Sequence, residues 1–217
     1  MIIIDCKQGS ARWHEVRLGI PTSSGFSNII TPKERKPSKS AEKYASALLS
    51  AWITGIPSVA AESQFMQRGT ELEPKARRWY EFDRGVTVRQ VGFCLLDDHS
   101  AGCSPDGLVG DDGLLQIKCP GAVKHIENLI EMTDDHFAQV QGEMFVTGRK
   151  WCDLLSYHPE MPPAVARIER DETYLAALQP ALAAFTEKLE ARRHLLLEKG
   201  CKPAAGLAPE FAKTLHD

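Results

Sequence analysis

Residues 104–118 read Ser-Pro-Asp-Gly-Leu-Val-Gly-Asp-Asp-Gly-Leu-Leu-Gln-Ile-Lys. Asp106 offers a carboxylate, Gln116 an amide oxygen and Lys118 an ammonium. Gln116 and Lys118 are two apart, so on a strand they share a face. Ser104-Pro105-Asp106-Gly107 fits a type I turn, and a tight hairpin through Gly110–Gly113 would fold that face back beside Asp106. A carboxylate with a backbone carbonyl is a usual start for a Mg²⁺ site. A lysine beside it can position a water, or help deprotonate it, for attack on phosphorus. The metal polarises the phosphoryl oxygen and offsets charge on the leaving oxygen. On the Asp-x₉-Gln-x-Lys spacing alone, an ordinary hairpin with a turn aspartate and a solvated lysine is the simpler reading. Glu73, in Gly69-Thr70-Glu71-Leu72-Glu73, could add a metal carboxylate from an opposite wall; Glu71 points elsewhere on a helix. Gln139 and Gln141 cannot share a helix face, which predicts one facing the site and the other solvent.

The elements that must position these groups follow from periodicity and punctuation. A helix capped by Ser38 or Ser40 runs to Ile53, stopped by Gly55 and Pro57. A second covers Phe65–Phe82, with Pro74 in a first turn or at a kink. Thr87–Val91, Gly92–Leu96 and Leu114–Cys119 read as strands. A helix capped by Asp134 or Asp135 runs to Val146 and ends at Gly148. Trp151–Tyr157 and Val165–Glu169 are further strands. Helical periodicity then extends from Asp171 to Lys199, with a break at Pro180. This order predicts an α/β protein with a central mixed sheet flanked by helices. One domain is expected over residues 1–217: an N-terminal part with a helix and a basic loop (1–60), a core (61–170) and a C-terminal helical part (171–217).

The chain has 217 residues, 43% apolar and 25% charged, and a net charge of −3. That profile is globular and argues against a polybasic coat protein or membrane binder. The charge is uneven: net +4 over residues 1–60, −3 over 61–120 and −4 over 121–217. Lys33, Arg35, Lys36 and Lys39 crowd a Pro- and Ser-containing stretch read as a mobile basic loop, which in isolation is as well a solvated linker. The N-terminus does not read as a signal peptide, and no apolar run approaches the ~20 residues of a membrane helix. The six cysteines form no C-x-x-C pair; buried reduced thiols in a cytoplasmic protein are expected, with neither a zinc site nor disulfides.

A set of segments in order carries a family resemblance. They are Trp13-His14-Glu15-Val16-Arg17-Leu18-Gly19, Thr22-Ser23-Ser24, Gly69 through Tyr80-Glu81, Cys103-Ser104-Pro105-Asp106-Gly107-Leu108, Lys118-Cys119-Pro120, Ala138-Gln139-Val140-Gln141 and Ile168-Glu169-Arg170-Asp171-Glu172. Together they span nearly the whole chain. The sequence resembles the phage lambda exonuclease family, the viral-recombinase branch of the PD-(D/E)xK nucleases. The resemblance implies a Mg²⁺-dependent exonuclease (Mn²⁺ as a substitute) that degrades linear duplex DNA from the 5′ end and leaves a 3′ single strand. It also implies a homotrimeric ring and a single-strand annealing partner. By position it makes Glu73 and Asp106 metal carboxylates, the Ile117 carbonyl a further ligand, Lys118 the catalytic lysine and Gln139 a lining residue. Arg17, Ser24 and Ser104 match residues that hold the 5′-phosphate, and Lys124 stands where the pattern has arginine, keeping the charge without the bidentate fork. Trp13 is read as core packing.

Gln116 departs from the pattern, which has an acid there. The amide oxygen can serve as a natural variant ligand, the nuclease can be inactivated or degenerate, or the strand can be misaligned. For duplex handling, Lys33, Arg35, Lys36 and Lys39 are the candidate phosphate contacts, and Met66 is a candidate wedge between terminal bases, or a core residue. Two rival readings are a junction resolvase or restriction-type endonuclease with the same core, and a DNA-end binding protein that does not cut.

Overall fold

The computed structural model describes residues 1–57, 64–132 and 135–204, with backbone alone for 64–67. The elements are β1 (Ile2–Ile4), α1 (Ala11–Glu15), a 3₁₀ turn (Ser23–Asn28), α2 (Ala41–Thr54), α3 (Gln64–Arg84), β2 (Val88–Arg89), β3 (Phe93–Leu95), β4 (Gly102–Cys103), β5 (Gly107–Val109), β6 (Gly113–Lys118), α4 (Ala122–Ile130), α5 (Phe137–Thr147), β7 (Trp151–Ser156), β8 (Ala164–Glu169) and α6 (Glu172–Glu198). A five-stranded sheet has the order β2-β5-β6-β7-β8, and a smaller sheet has the order β1-β3-β4. In the larger sheet β6 and β7 are parallel and every other pair is antiparallel. A parallel pair needs a long crossover, and α4 and α5 supply it.

Alternation along β6 divides the core. Leu115 and Ile117 pack with Leu155 of β7 and with Ala76 and Tyr80 of α3. Leu114 faces the other way, with Cys152 of β7, Val140 and Met144 of α5, and Leu178 and Leu182 of α6. The sheet is therefore held between α3 on one face and α5 and α6 on the other. Full burial of such a leucine contributes about 1.5–3 kcal/mol. α3 is also tied through polar atoms: the Tyr80 hydroxyl donates to Asp153 Oδ2 at 2.7 Å, and Arg167 grips the same carboxylate through Nε and Nη2 at 2.8 and 3.0 Å.

The α/β architecture predicted from the sequence is present, with differences at particular elements. Both prolines lie inside continuous helices: Pro74 in mid-α3, not its first turn, and Pro180 within α6, which does not break. Each removes one backbone bond, but Ala76 and Tyr80 in α3, and Leu178, Leu182, Phe185 and Leu189 in α6, are buried and hold the helix against the core. Ser40 stands at the start of α2 without a side-chain cap bond. α5 begins after His136, not after Asp135; Asp134 lies outside the described residues. β1, α1, the 3₁₀ turn and α4 add to the predicted set. Cys94, Cys103 and Cys152 are buried thiols, whereas Cys6, Cys119 and Cys201 are partly exposed; all six are free. Among the described residues no helix is long and apolar enough to cross a membrane.

Candidate active site

The β5–β6 hairpin assembles the centre of the site. Gly110 takes a left-handed φ of 52° in the turn, and Val109 pairs with Gly113 and Gly107 with Leu115. A side chain at Gly107 would strike Val88 of β2, so glycine there lets β5 close against its neighbour. One step beyond the Gly107–Leu115 pair, Asp106 meets Gln116. Asp106 Oδ2 accepts from Gln116 Nε2 and from the Ile117 amide, both at 2.6 Å. Gln116 and Lys118 share the β6 face that looks onto α5. There Lys118 Nζ donates to Gln139 Oε1 at 3.3 Å, and Gln139 Nε2 donates to Gln116 Oε1 at 3.3 Å. Asp106, Gln116, Lys118 and Gln139 thus form one hydrogen-bonded chain.

Glu73 approaches from α3, on the opposite wall as expected. Its carboxylate is paired with Arg77 one turn on, and Arg77 Nη2 also reaches the Asp106 carbonyl at 3.4 Å. Glu71 is exposed. Gln139 faces the site, but Gln141 does not face solvent: it is fully buried, donating to the Glu169 carbonyl and accepting from the Asp171 amide, each at 2.8 Å. It fastens α5 to the β8–α6 junction.

Sequence reasoning missed Glu143. It lies one turn after Gln139, is fully buried, and accepts from Gln139 Nε2 at 2.9 Å. The spacing of four was the available signal, but an acid among apolar residues reads as the solvent edge of a helix. Burial, and then the negative charge of Asp106, push Glu143 up to about 8. Asp106 keeps an opening to solvent but is surrounded closely enough that desolvation, and then Glu73, raise it to about 7. His136, at the start of α5, is lowered to about 4, by burial first and then by Lys118. Folded-state values raised above the unfolded ones contribute stability at low pH that is lost as pH rises through 7 and 8. Without divalent metal, melting temperature should therefore fall as pH rises to about 8 and level off above it, where both acids are ionised in the folded and unfolded chain alike. Because a cation competes with these protons, added Mn²⁺ should raise it more at pH 9 than at pH 6. An equal Mn²⁺ shift at both pH values would contradict this account.

The candidate ligand atoms (Asp106 and Glu73 carboxylates, the Gln116 amide oxygen and the Ile117 carbonyl) are all hard oxygens, the chemistry Mg²⁺ takes. Two crowded acids, one of them raised by the other's charge, also suit a cation. Among the described residues no three His, Cys, Asp or Glu side chains converge as a metal cluster.

A second cluster lies beside the first, two residues back along the same segment. Arg17 Nη1 and the Trp13 indole N–H both donate to Ser104 Oγ at 2.9 Å, and the Arg17 guanidinium lies 4.1 Å from the Trp13 ring centre. Trp13 is therefore a partly exposed member of this cluster, not a core residue; its indole N–H needed a partner. Arg17 and Ser24 both line a cavity of about 180 Å³, with Trp13, Thr22 and Tyr44. Burial lowers Arg17 to about 10, so it stays charged at neutral pH. It pairs with no carboxylate among the described residues, neither Asp5 nor Glu15. Gln8 Nε2 pins the connecting segment by donating to the Val91 and Pro105 carbonyls, each at 2.9 Å. Lys124 is not drawn into this cluster: it pairs with Asp135 at 2.7 Å and Glu127 at 3.4 Å. A larger cavity of about 770 Å³, bordered by Leu96, Phe145, Leu182 and Arg193, contains none of the candidate residues.

Of the basic set, Lys33, Arg35, Lys36 and Lys39 are exposed on the loop between the 3₁₀ turn and α2. The loop is braced, with Thr31 N–H donating to the Lys36 carbonyl at 2.8 Å and Arg35 paired to Asp171 at 3.1 Å. Met66 falls in the first turn of α3, and its side chain lies outside the described residues.

A mixed sheet between helices, with an acid before one hairpin strand and a lysine at the end of the next, is the PD-(D/E)xK nuclease fold. Solved structures of other proteins share it, among them those of two exonucleases. An alkaline exonuclease (LHK-Exo) from Laribacter hongkongensis, also solved with dAMP, is 36% identical with a TM-score of 0.78, over 88% of this chain and 98% of that one. A phage-related exonuclease from Haemophilus somnus 129PT has a TM-score of 0.61 at 13% identity, over 89% of this chain and 97% of that one, and speaks for the fold alone. No curated protein matches the chain. Residues 12–150 match the YqaJ-like viral recombinase domain, and the chain belongs to that family.

Proposed function

We propose that the protein is a Mg²⁺-dependent exonuclease that degrades linear duplex DNA from its 5′ ends. It releases nucleoside 5′-monophosphates and leaves 3′ single strands for recombination by strand annealing. Mn²⁺ would substitute for Mg²⁺. The observation that carries the reading is the placement of two clusters on one short segment. Ser104, bonded to a partly buried guanidinium with no carboxylate partner among the described residues, and Asp106, bonded to Gln116 and linked through it and Gln139 to Lys118, are separated only by Pro105. An anion clamp so close to a hydrolytic centre suits a terminal phosphate, because holding it sets the scissile bond at a fixed place.

In this mechanism Asp106, Glu73, the Gln116 amide oxygen and the Ile117 carbonyl would hold the metal, which would supply polarisation of the phosphoryl oxygen and offset charge on the leaving group. Lys118, oriented by Gln139, positions the attacking water and moves its proton. Arg17, Ser104 and Ser24 hold the 5′-phosphate, and Lys124 joins them after leaving Asp135. The exposed Lys33, Arg35, Lys36 and Lys39 meet duplex phosphates without reading sequence. A homotrimeric ring around the duplex and a single-strand annealing partner complete the proposal. The relationship to an alkaline exonuclease at 36% identity supports it.

The test is digestion of 5′-phosphorylated linear duplex with and without Mg²⁺, beside a covalently closed circle. Mononucleotide release from the linear substrate only with metal, and an intact circle, are expected. A nicked or linearised circle would favour the endonuclease reading. DNA bound but never shortened, with Mg²⁺ or Mn²⁺, would favour the end-binding reading that the neutral Gln116 raises.

A further inference from the structure

We infer that Glu143 is a positioning carboxylate that supplies from α5 the negative charge position 116 lacks. The inference rests on the divalent-metal reading of the site. Its support is the direction of the hydrogen bonds. Glu143, raised to about 8 by burial, is ionised at alkaline pH; there the carboxylate only accepts, so Glu143 Oε1 turns the Gln139 amide with its nitrogen inward. Gln139 Oε1 is then left facing the Lys118 ammonium, and the same Nε2 also donates to Gln116 Oε1. Gln116 is in turn held with its nitrogen on Asp106. One buried acid orders the donors across four side chains.

The second observation is Glu143 Oε2. It is buried and has no hydrogen-bond partner among the described residues. A buried acid with an unsatisfied oxygen is costly to keep unless a cation acts on it. The Cys94, Cys103 and Cys152 thiols, all fully buried, are near enough to feel its charge. Lys118 and Arg17 are the positive groups that act on it from the two functional clusters. With glutamine at 116, the Asp106–Glu73 pair holds two negative charges; Glu143 makes a third, displaced from strand to helix.

The inference predicts that the charge is exchangeable between the two positions. Mn²⁺ affinity is measured at about pH 8.5, where Glu143 is ionised, by isothermal titration calorimetry on the DNA-free protein, with melting curves in EDTA, for the unmodified chain, Glu143→Gln, Gln116→Glu and the double variant. Glu143→Gln should weaken Mn²⁺ binding by about tenfold or more, the usual effect of removing a group behind a metal ligand. It should not lower the melting temperature in EDTA, because it removes a buried acid. Gln116→Glu alone should tighten Mn²⁺ binding, and the double variant should recover most of the lost affinity. If Glu143→Gln binds Mn²⁺ as the unmodified chain does, the inference is wrong and the metal reading stands. Failure of Gln116→Glu to rescue a folded Glu143→Gln protein also overturns it. An unmodified chain that binds no Mn²⁺ would remove the metal reading and this inference together.

Discussion

Lys118→Ala gives a protein that folds, binds DNA ends and releases no measurable nucleotide. Lys118 stands at the end of β6, partly exposed, and its ammonium donates to Gln139 at 3.3 Å. Removing it takes away one of the positive charges that act on Glu143, but Arg17 remains and the buried acid can hold its proton, so the fold should persist. The proton movement it carries is worth roughly 10²–10⁴ in rate. Single-turnover release from 5′-phosphorylated duplex, with gel-shift binding of the same DNA in EDTA, separates the two effects. Cleavage within tenfold of the unmodified chain would refute the assignment, and loss of binding in parallel with cleavage would move Lys118 from chemistry to substrate capture.

Arg17→Ala should act on one kind of end. The guanidinium is partly buried, stacked on Trp13 and bonded to Ser104, with no carboxylate partner among the described residues. Losing a hydrogen-bonded charge from a charged contact costs about 2 kcal/mol or more, roughly 30-fold or more in kcat/KM. That loss should fall on 5′-phosphorylated duplex, while 5′-hydroxyl ends, which offer no terminal anion, should react nearly as before. Comparing kcat/KM on the two substrates reads this directly. Equal losses on both would mean that Arg17 supports the fold around Ser104 and does not grip phosphate.

How much of this was legible in the chain differs by residue. The β5–β6 hairpin and the meeting of Asp106 with Gln116 and Lys118 follow from turn chemistry and a period of two, both local. The α3 wall with Glu73 was legible from helical spacing, although Pro74 was expected in a first turn or at a kink and not in mid-helix. Packing of Ala76 and Tyr80, invisible to a local reading, outweighs that proline. Glu143 and Gln141 were not legible because their burial depends on which face of α5 meets the sheet and which meets α6. Trp13 was misread for the same reason: only the fold brings residue 104 to its indole. The expected place for Lys124 beside Arg17 also differs, since two nearby acids hold its ammonium in the structure.

The parallel pairing of β6 with β7 has a consequence for the order in which the molecule is built. Gly113 pairs with Trp151 and Lys118 with Ser156, each 38 residues apart in the chain. Closing so long a loop before its contacts repay the entropy is slow compared with forming a hairpin. The hairpin that sets Asp106 against Gln116 can form early and alone, but Gln139 and Glu143 reach it only when α5 has been laid across the sheet and β7 has docked. The strand that carries the lysine is therefore made long before the surroundings that orient it. A nascent or partly unfolded chain holds the reactive residues without the arrangement that would let them work together.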